Sequence, residues 1–248
     1  MNKNQLINRI VKIVLYALVL LFFVWTAANG YYNKIFTDSE TFFVLFGEHL
    51  LLVAVSSILA VIVALPLAVF VTRPKYRKFE WITSNIANLA QTVPSLAVLA
   101  LMIGILGIGF TPAVFALFIY SVLPIFRNAV AGFNSIDTDM KDAGKGMGMT
   151  SSQIFWRIEV PNSSYAIIAG LRTAIVLNVG TAALAYYIGG GGLGVWIFTG
   201  INLFDNSFLL SGAVPVTLMA IGIDSLLAWL GRAVTPKGSK PPAMQAVD

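Results

Sequence analysis

Residues 142–161 read DAGKGMGMTSSQIFWRIEVP, a charged stretch rich in small residues inside a chain that is otherwise strongly apolar. An Asp-Ala-Gly triplet is followed after three residues by a glycine, and after nine more residues by Ile-Glu-Val-Pro. The residues that set this spacing are Asp142, Ala143, Gly144, Gly148, Ile158 and Pro161. The stretch belongs to a polar segment, 134–162, and is therefore a loop of an otherwise membrane-embedded chain.

Local signals in this loop predict two short helices joined at a glycine. Asp139 is suited to cap the first helix, and Asp142 lies where negative charge favours the N-terminal end of the helix dipole. Gly148 is suited to the end of that helix because glycine tolerates positive φ. Residues 150–153, TSSQ, match a capping box that starts the second helix, and we expect Pro161 to end it.

Composition indicates a membrane protein. Of the 248 residues, 58% are hydrophobic and 11% are charged, and the mean hydropathy is +0.83. A soluble domain carries about 25% charged residues, so a soluble globular enzyme is excluded and an all-α, polytopic membrane protein is predicted. The chain has no cysteine, which excludes disulfides and cysteine-ligated metal.

Apolar runs predict six membrane spans, at 13–32, 50–72, 82–103, 112–133, 163–187 and 207–230. Residues 1–12 form an N-terminal segment, 13–231 a single transmembrane domain and 232–248 a tail. A cleaved signal peptide is the alternative for the first run, but that run is longer than a usual signal-peptide core. Glycines and a proline in residues 104–112 supply the turn between the third and fourth spans.

The basic residues give the orientation. Fourteen of the 16 lysines and arginines fall on one side of the six predicted spans. Lys34 lies on the other side, and Arg172 falls within a span. The positive-inside rule then places both termini and the 134–162 loop in the cytoplasm. The net charge of +5 is therefore a topology signal, and we expect the lipid bilayer and no nucleic acid among the partners.

The spacing of the loop resembles the EAA loop of ABC importer permeases, which reads Glu-Ala-Ala, three residues, Gly, nine residues and Ile-x-Leu-Pro. This chain differs by Asp142 for Glu, Gly144 for the second Ala and Val160 for Leu. The resemblance implies the type I ABC importer permease fold, in which this loop is a coupling helix seated in a groove of the ATPase. Ala143, Gly144 and Gly146 leave the first helix without bulk, so the backbone of another protein could approach it closely.

Within that superfamily the chain most resembles the osmoprotectant permeases, which import glycine betaine, carnitine or choline. The resemblance covers residues 50–230, and its marks are QTVPSLA at 91–97, KGMGM at 145–149 and the glycine run at 189–194. It implies two ABC ATPase subunits, a second permease that is identical or similar, and an extracytoplasmic solute-binding protein. It also implies the bacterial or archaeal cytoplasmic (inner) membrane. Amino-acid and methionine permeases share the architecture and remain an alternative.

Nothing in the sequence predicts catalysis or a cofactor in this chain. Gly144-Lys145 is not followed by Ser or Thr, so no P-loop is present, and ATP and Mg²⁺ would belong to the partner ATPase. The run GGGGLG formally fits a dinucleotide motif but follows a membrane span, so we expect a flexible turn. A stand-alone secondary transporter would need intramembrane acids, and Asp224 is the sole one predicted within a span.

Polar residues in the spans suggest a solute path. In the third predicted span they recur at helical spacing, and Pro94 leaves a carbonyl free on the same helix. The candidates are Asn85, Asn88, Gln91, Thr92, Pro94 and Ser95, with Asn178 and Thr181 on the fifth span. They either line a water-filled pathway or join neighbouring helices.

Arg172 and Asp224 are charges inside predicted spans, and such charges are usually paired. At 1.5 Å per residue, both lie about 10–12 Å in from the same side. The sequence predicts an ion pair that fixes the packing of the fifth and sixth spans, so swapping both charges should restore an assembly that either single change damages. The alternative is that Arg172 faces the pathway.

Overall fold

The computed structural model describes residues 3–235, which are mostly helical and contain no strand. The predicted tail at 232–248 therefore lies mostly outside the described residues. The helices are α1 Lys3–Ala28, α2 Asn33–Thr37, α3 Ser39–Val71, α4 Lys78–Thr92, α5 Ser95–Leu106, α6 Phe110–Asn134, α7 Thr138–Gly146, α8 Ser151–Ile154, α9 Val160–Ala182, α10 Gly194–Leu203 and α11 Asn206–Val234. A π-helical turn, Phe155–Glu159, joins α8 to α9, and a 3₁₀ turn, Ala183–Ile188, extends α9.

Five of the described helical segments are long and apolar enough to cross a membrane: those containing α1, α3, α6, α9 and α11. Helix α3 begins at Ser39, eleven residues before the predicted span at 50–72. The predicted span at 82–103 is instead two short helices, α4 and α5, separated by Val93 and Pro94. The short apolar helix α10 was not predicted.

Helix α6 is the centre of the bundle and packs along α3 and α9. Small residues allow the close approach, and Ala60, Ala64 and Ala68 of α3 are fully buried. At Gly170 of α9, an added Cβ would lie 2.6 Å from the Cβ of Asn128 on α6. Close packing at these contacts positions α3, α6 and α9, the helices that carry or adjoin the candidate sites.

Helix α1 differs from the others because almost all of its described side chains are exposed. Its apolar window, within Arg9–Ala28, has a mean hydropathy of 2.4 and is only 6% buried. A helix that is apolar all round and unpacked on the protein side suits a lipid environment. At its end, the Thr26 hydroxyl is hydrogen bonded to the Tyr32 hydroxyl at 2.6 Å.

The break between α4 and α5 has a direct cause. Pro94 carries no N–H and has an extended ψ of 138°, so the helix cannot continue through it. The Tyr120 hydroxyl of α6 donates to the carbonyl oxygen of Val93, which the break would otherwise leave unpaired. The polar residues before and after Pro94 therefore lie on two helices, and the single stripe predicted on one helix is wrong.

Candidate coupling segment and membrane cavity

The candidate coupling segment comprises residues 137–161. Asp137, and not Asp139, caps α7: its side chain accepts a hydrogen bond from the Asp139 N–H at 2.9 Å. Asp137 takes this role because it has extended backbone angles, whereas Asp139 is already helical. Helix α7 ends at Gly146, and Gly148 has a φ of +76°. The turn between the two helices depends on this left-handed conformation.

The second part of the segment starts with the predicted capping box. The Thr150 hydroxyl accepts from the Gln153 N–H, and the Gln153 side chain accepts from the Thr150 N–H at 2.8 Å. Pro161 does not end this helix, contrary to the prediction. The chain instead passes through the π turn into α9, where Pro161 lies in the first turn and needs no N–H partner.

Gly144 has a different role from the one predicted. It is buried, and a Cβ there would lie 2.8 Å from Cδ1 of Ile158 and 3.4 Å from Cγ1 of Ile154. The missing side chain thus makes room for residues of the same chain and not for another protein. The exposed surface of the segment is formed by its neighbours: Asp142, Ala143, Gly146, Met147 and Gly148.

Glu159 organises the segment, and sequence reasoning missed it. Its carboxylate is buried, lies 2.7 Å from the guanidinium of Arg73 and is 3.6 Å from the Lys141 ammonium. Arg73 also lies over the ring of Phe155. One carboxylate thereby joins the end of α3 to α7 and to the π turn. The available signal was an acidic residue between two apolar residues in Ile158-Glu159-Val160.

A cavity of about 340 Å³ lies where α5, α6 and α9 meet. It brings together three of the predicted pathway residues, Ser95, Asn178 and Thr181. Its other walls are formed by Tyr120, Ser121, Pro124, Ala174 and Leu177. Three helices therefore contribute polar groups to one space.

The remaining predicted pathway residues lie elsewhere or are not described. The Asn85 side chain is exposed and donates to its own helix, at the Trp81 carbonyl. Thr92 likewise donates to the Leu89 carbonyl. The side chains of Asn88 and Gln91 lie outside the described part of the chain. Pro94 sets the break beside the cavity and is not among its lining residues.

Arg172 and Asp224 form two parallel hydrogen bonds, each 2.8 Å long, from Nε and Nη2 to the two carboxylate oxygens. The pair joins α9 to α11, as the packing hypothesis requires. It is also about 40% exposed and lines an open cavity of about 650 Å³, together with Leu177. The predicted pairing of Arg172 with Asp224 is thus present, and the alternative, that Arg172 faces the pathway, stays a prediction.

The run at 189–194 is a packed turn and not the flexible turn that was predicted. Gly189, Gly191 and Gly192 have positive φ, and the Gly192 N–H donates to the Glu48 carboxylate at 2.8 Å. The imidazole of His49, which is fully buried, is hydrogen bonded to the Val179 carbonyl at 3.0 Å. Glu48 therefore bonds the turn directly, and His49 bonds α9 and packs against Gly192, where an added Cβ would lie 3.2 Å from its Nδ1. The glycine content alone did not reveal these contacts.

Residues 64–239 match the family described as "Binding-protein-dependent transport system inner membrane component". That range covers the cavity, the ion pair and the candidate coupling segment. The chain belongs to this family. It is a multi-pass membrane protein and a transport component.

Two relatives whose names state the transported solutes give a more specific comparison than the family does. A Bacillus subtilis protein named glycine betaine/carnitine/choline transport system permease protein OpuCB is 46% identical over 192 residues, covering 77% of this chain and 88% of the relative. An osmoprotectant import permease protein, OsmY of Salmonella typhimurium, is 43% identical over 189 residues, covering 76% and 80%.

Solved structures support the fold. An inward-facing MetNI methionine ABC transporter has a chain that matches with a TM-score of 0.70 at 24% identity, covering 76% of this chain and 94% of that one. An amino acid ABC transporter matches with a TM-score of 0.67 at 18% identity, covering 82% and 98%. The type I permease fold is therefore confirmed.

Proposed function

We propose that this chain is the permease subunit of an ATP-driven importer for an osmoprotectant such as glycine betaine, carnitine or choline. The observation that carries the proposal is 46% identity, over most of both chains, to a permease named for these three solutes. The methionine and amino-acid transporters resemble the chain at 24% identity or less, and likeness at that level concerns the fold alone. A stand-alone secondary transporter is not favoured by any of these relatives.

In this proposal the chain does no chemistry, and a separate ABC ATPase binds ATP and Mg²⁺. Two ATPase subunits would dock below a pair of permeases, and an extracytoplasmic binding protein would deliver solute from above. The exposed residues at the end of α7 and in the turn that follows it, Ala143 and Gly146 to Gly148, are the ATPase contact. Both termini lie in the cytoplasm with this face, an orientation supported by the one-sided distribution of basic residues.

Glu159 gives the proposed contact a mechanical connection to the membrane helices. A displacement of α7 moves Lys141, which is paired with the Glu159 carboxylate. The same carboxylate is paired with Arg73, so the displacement reaches the end of α3. The π turn leads without interruption into α9, which lines the cavity and carries Arg172. Coupling then consists of moving α3 and α9 relative to α6 when the ATPases close.

The experiment is co-purification of the tagged chain from its native membrane, with uptake measured in parallel. We expect an ABC ATPase in stoichiometric amount and ATP-dependent uptake of at least one of the three solutes. Gly146→Leu should remove the ATPase, because Gly146 faces open space on the proposed contact and its replacement leaves the fold intact. The matched control is Gly222→Leu on α11, where a side chain also meets open space.

Retention of the ATPase by Gly146→Leu would contradict the proposed contact face. Uptake that continues with no ATPase present, and that collapses when the ion gradient is dissipated, would replace the importer with a secondary transporter. Uptake of methionine in preference to all three osmoprotectants would favour the amino-acid alternative.

A further inference from the structure

The cavity between α5, α6 and α9 contains polar atoms that the fold leaves without partners. Ser121 and Asn178 are each only 1% exposed. Among the described residues, neither Ser121 Oγ nor Asn178 Oδ1 has a hydrogen-bond partner. Buried polar atoms without partners cost free energy, and native proteins keep few of them. Both residues line the same 340 Å³ cavity, so a solute in that cavity is the nearest source of a partner for either atom.

The orientation of the Asn178 amide is fixed by α3. Its Nδ2 donates to Ser56 Oγ at 2.7 Å and to Ser57 Oγ at 3.0 Å. Ser56 can only accept this bond, because its own proton is donated to the Leu52 carbonyl at 2.6 Å. The amide nitrogen is therefore committed to α3, and the oxygen is left with its partial negative charge unpaired.

The third polar element is the start of α5. Because the chain breaks at Pro94, this 12-residue helix begins next to the cavity, with Ser95 in the cavity wall. The Ala97 and Val98 N–H groups donate to the Pro94 carbonyl, but the N–H groups that precede them have no carbonyl one turn earlier in the helix. Such N–H groups carry partial positive charge and favour an anionic group. Discontinuous helices inside membranes recognise solute carboxylates in this way.

Helix α6, in contrast, offers groups that favour positive charge. Pro124 has no N–H, so the carbonyl of Tyr120 one turn earlier loses its helical partner. This carbonyl and Asn178 Oδ1 are acceptors, and they favour the positive part of a dipolar solute. The described residues that line the cavity include no charged side chain, so a solute without net charge is the one it matches.

We propose that this cavity is a solute-binding subsite within the permease itself, and that it selects small zwitterions carrying a carboxylate. The carboxylate binds at the N-terminus of α5 and the Ser121 hydroxyl, and the cationic part lies towards Asn178 Oδ1 and the Tyr120 carbonyl. The volume equals that of about ten waters, enough for a solute the size of glycine betaine. The subsite rests on the proposed function and adds a preference for glycine betaine and carnitine over choline, which lacks the carboxylate.

The absence of cysteine allows a clean test. Leu177 lines this cavity and also the cavity of the Arg172–Asp224 pair, and it is 57% exposed, so Leu177→Cys introduces a reactive thiol that a solute in either cavity could protect. Ser121 lines only the first of these two cavities, so its substitution distinguishes them. Its rate of modification by a small methanethiosulfonate reagent is measured in the permease–ATPase complex without the binding protein. Saturating glycine betaine should slow the reaction at least about threefold, and choline at equal concentration should not. The control is Leu218→Cys on α11, which is 54% exposed outside the cavity and should react at one rate throughout.

Ser121→Ala, made in the chain that also carries Leu177→Cys, then tests whether the Ser121 hydroxyl binds the carboxylate of the solute. It removes a hydroxyl with no partner in the fold, so we expect folding to be unaffected and the half-protecting concentration of glycine betaine to rise about tenfold. Thr217→Val is the matched control, because that hydroxyl is exposed and donates only to the Ala213 carbonyl of its own helix. It should leave protection unchanged.

Equal protection by choline and glycine betaine would overturn the carboxylate assignment. No protection by either, in a preparation whose full assembly imports glycine betaine, would overturn the subsite and leave the proposed function intact. Absence of any osmoprotectant uptake by the full assembly would overturn the function on which the subsite rests.

Discussion

The molecule has two glycine-rich stretches, at 144–148 and at 189–194, and the structure uses them in opposite ways. In the first, Gly146 and Gly148 face open space, and only Gly144 is packed. In the second, Gly190, Gly191, Gly192 and Gly194 all approach other parts of the chain closely. Similar composition therefore produces an open turn at one end of the bundle and a packed turn at the other. Glycine content indicates a turn, but the neighbouring residues determine how rigid that turn is.

The largest effect should come from Gly194→Ala in the packed turn. A Cβ at this position would overlap the carbonyl oxygen of Ala183, and neither backbone can move without displacing the 3₁₀ turn or α10. We expect a loss of more than about 4 kcal/mol in stability, seen as failure to recover monodisperse protein. Gly104→Ala on α5, where a Cβ meets nothing, is the control and should yield normal protein. Normal recovery of Gly194→Ala would mean that the second turn is not packed as described.

The second-largest effect should come from Glu159, whose charge holds the glycine-rich stretch at 144–148 to the bundle. Glu159→Gln keeps the shape of the side chain but leaves Arg73 without a counter-charge in a half-buried site. We expect a loss of about 2 kcal/mol, measured as a lower midpoint of thermal unfolding, and ATP hydrolysis that no longer responds to solute.

The matched control for Glu159→Gln is Asp142→Asn. Its ion pair with Lys145 is exposed on both sides and should contribute less than about 1 kcal/mol. If both variants lower the unfolding midpoint by the same amount, Glu159 is not the organising charge of the segment.

A smaller effect is expected for Gly148→Ala. No atom obstructs a Cβ there, but φ is +76°, which costs an alanine about 1–2 kcal/mol. The midpoint of thermal unfolding should fall slightly, and Gly148→Asn should recover part of the loss because asparagine tolerates this conformation. If the asparagine variant is as unstable as the alanine variant, glycine is required because a larger side chain clashes with its neighbours, and not because of the backbone angle.

The smallest effect should be found at Gly146, where we expect substitution to stabilise the protein and not to destabilise it. This residue has ordinary helical angles and open surroundings, so Gly146→Ala should stabilise α7 by up to about 1 kcal/mol. A slightly higher unfolding midpoint with unchanged ATPase retention is expected. Destabilisation by this alanine would show that the first stretch is packed after all and would remove the contrast between the two turns.

Local features were predictable where neighbours in the sequence are neighbours in space. The capping box at Thr150 and the turn at Gly148 depend on a few consecutive residues, and the structure contains both. Arg172 and Asp224 were paired by depth alone, because a membrane restricts where two charges can meet. The role of Pro161 was misjudged because a π turn, which no local signal revealed, carries the helix past it.

The sequence by itself determined that the chain crosses the membrane several times, which loop is polar and which family it resembles, because these depend on composition and spacing. Only the tertiary structure decided that Glu159 joins three elements, that Gly144 is filled by Ile158, and that Ser95, Ser121 and Asn178 share one cavity. The physical reason is that these contacts join residues 14 to 86 positions apart. Their geometry is set by how α3, α6 and α9 pack, which no short window of sequence encodes.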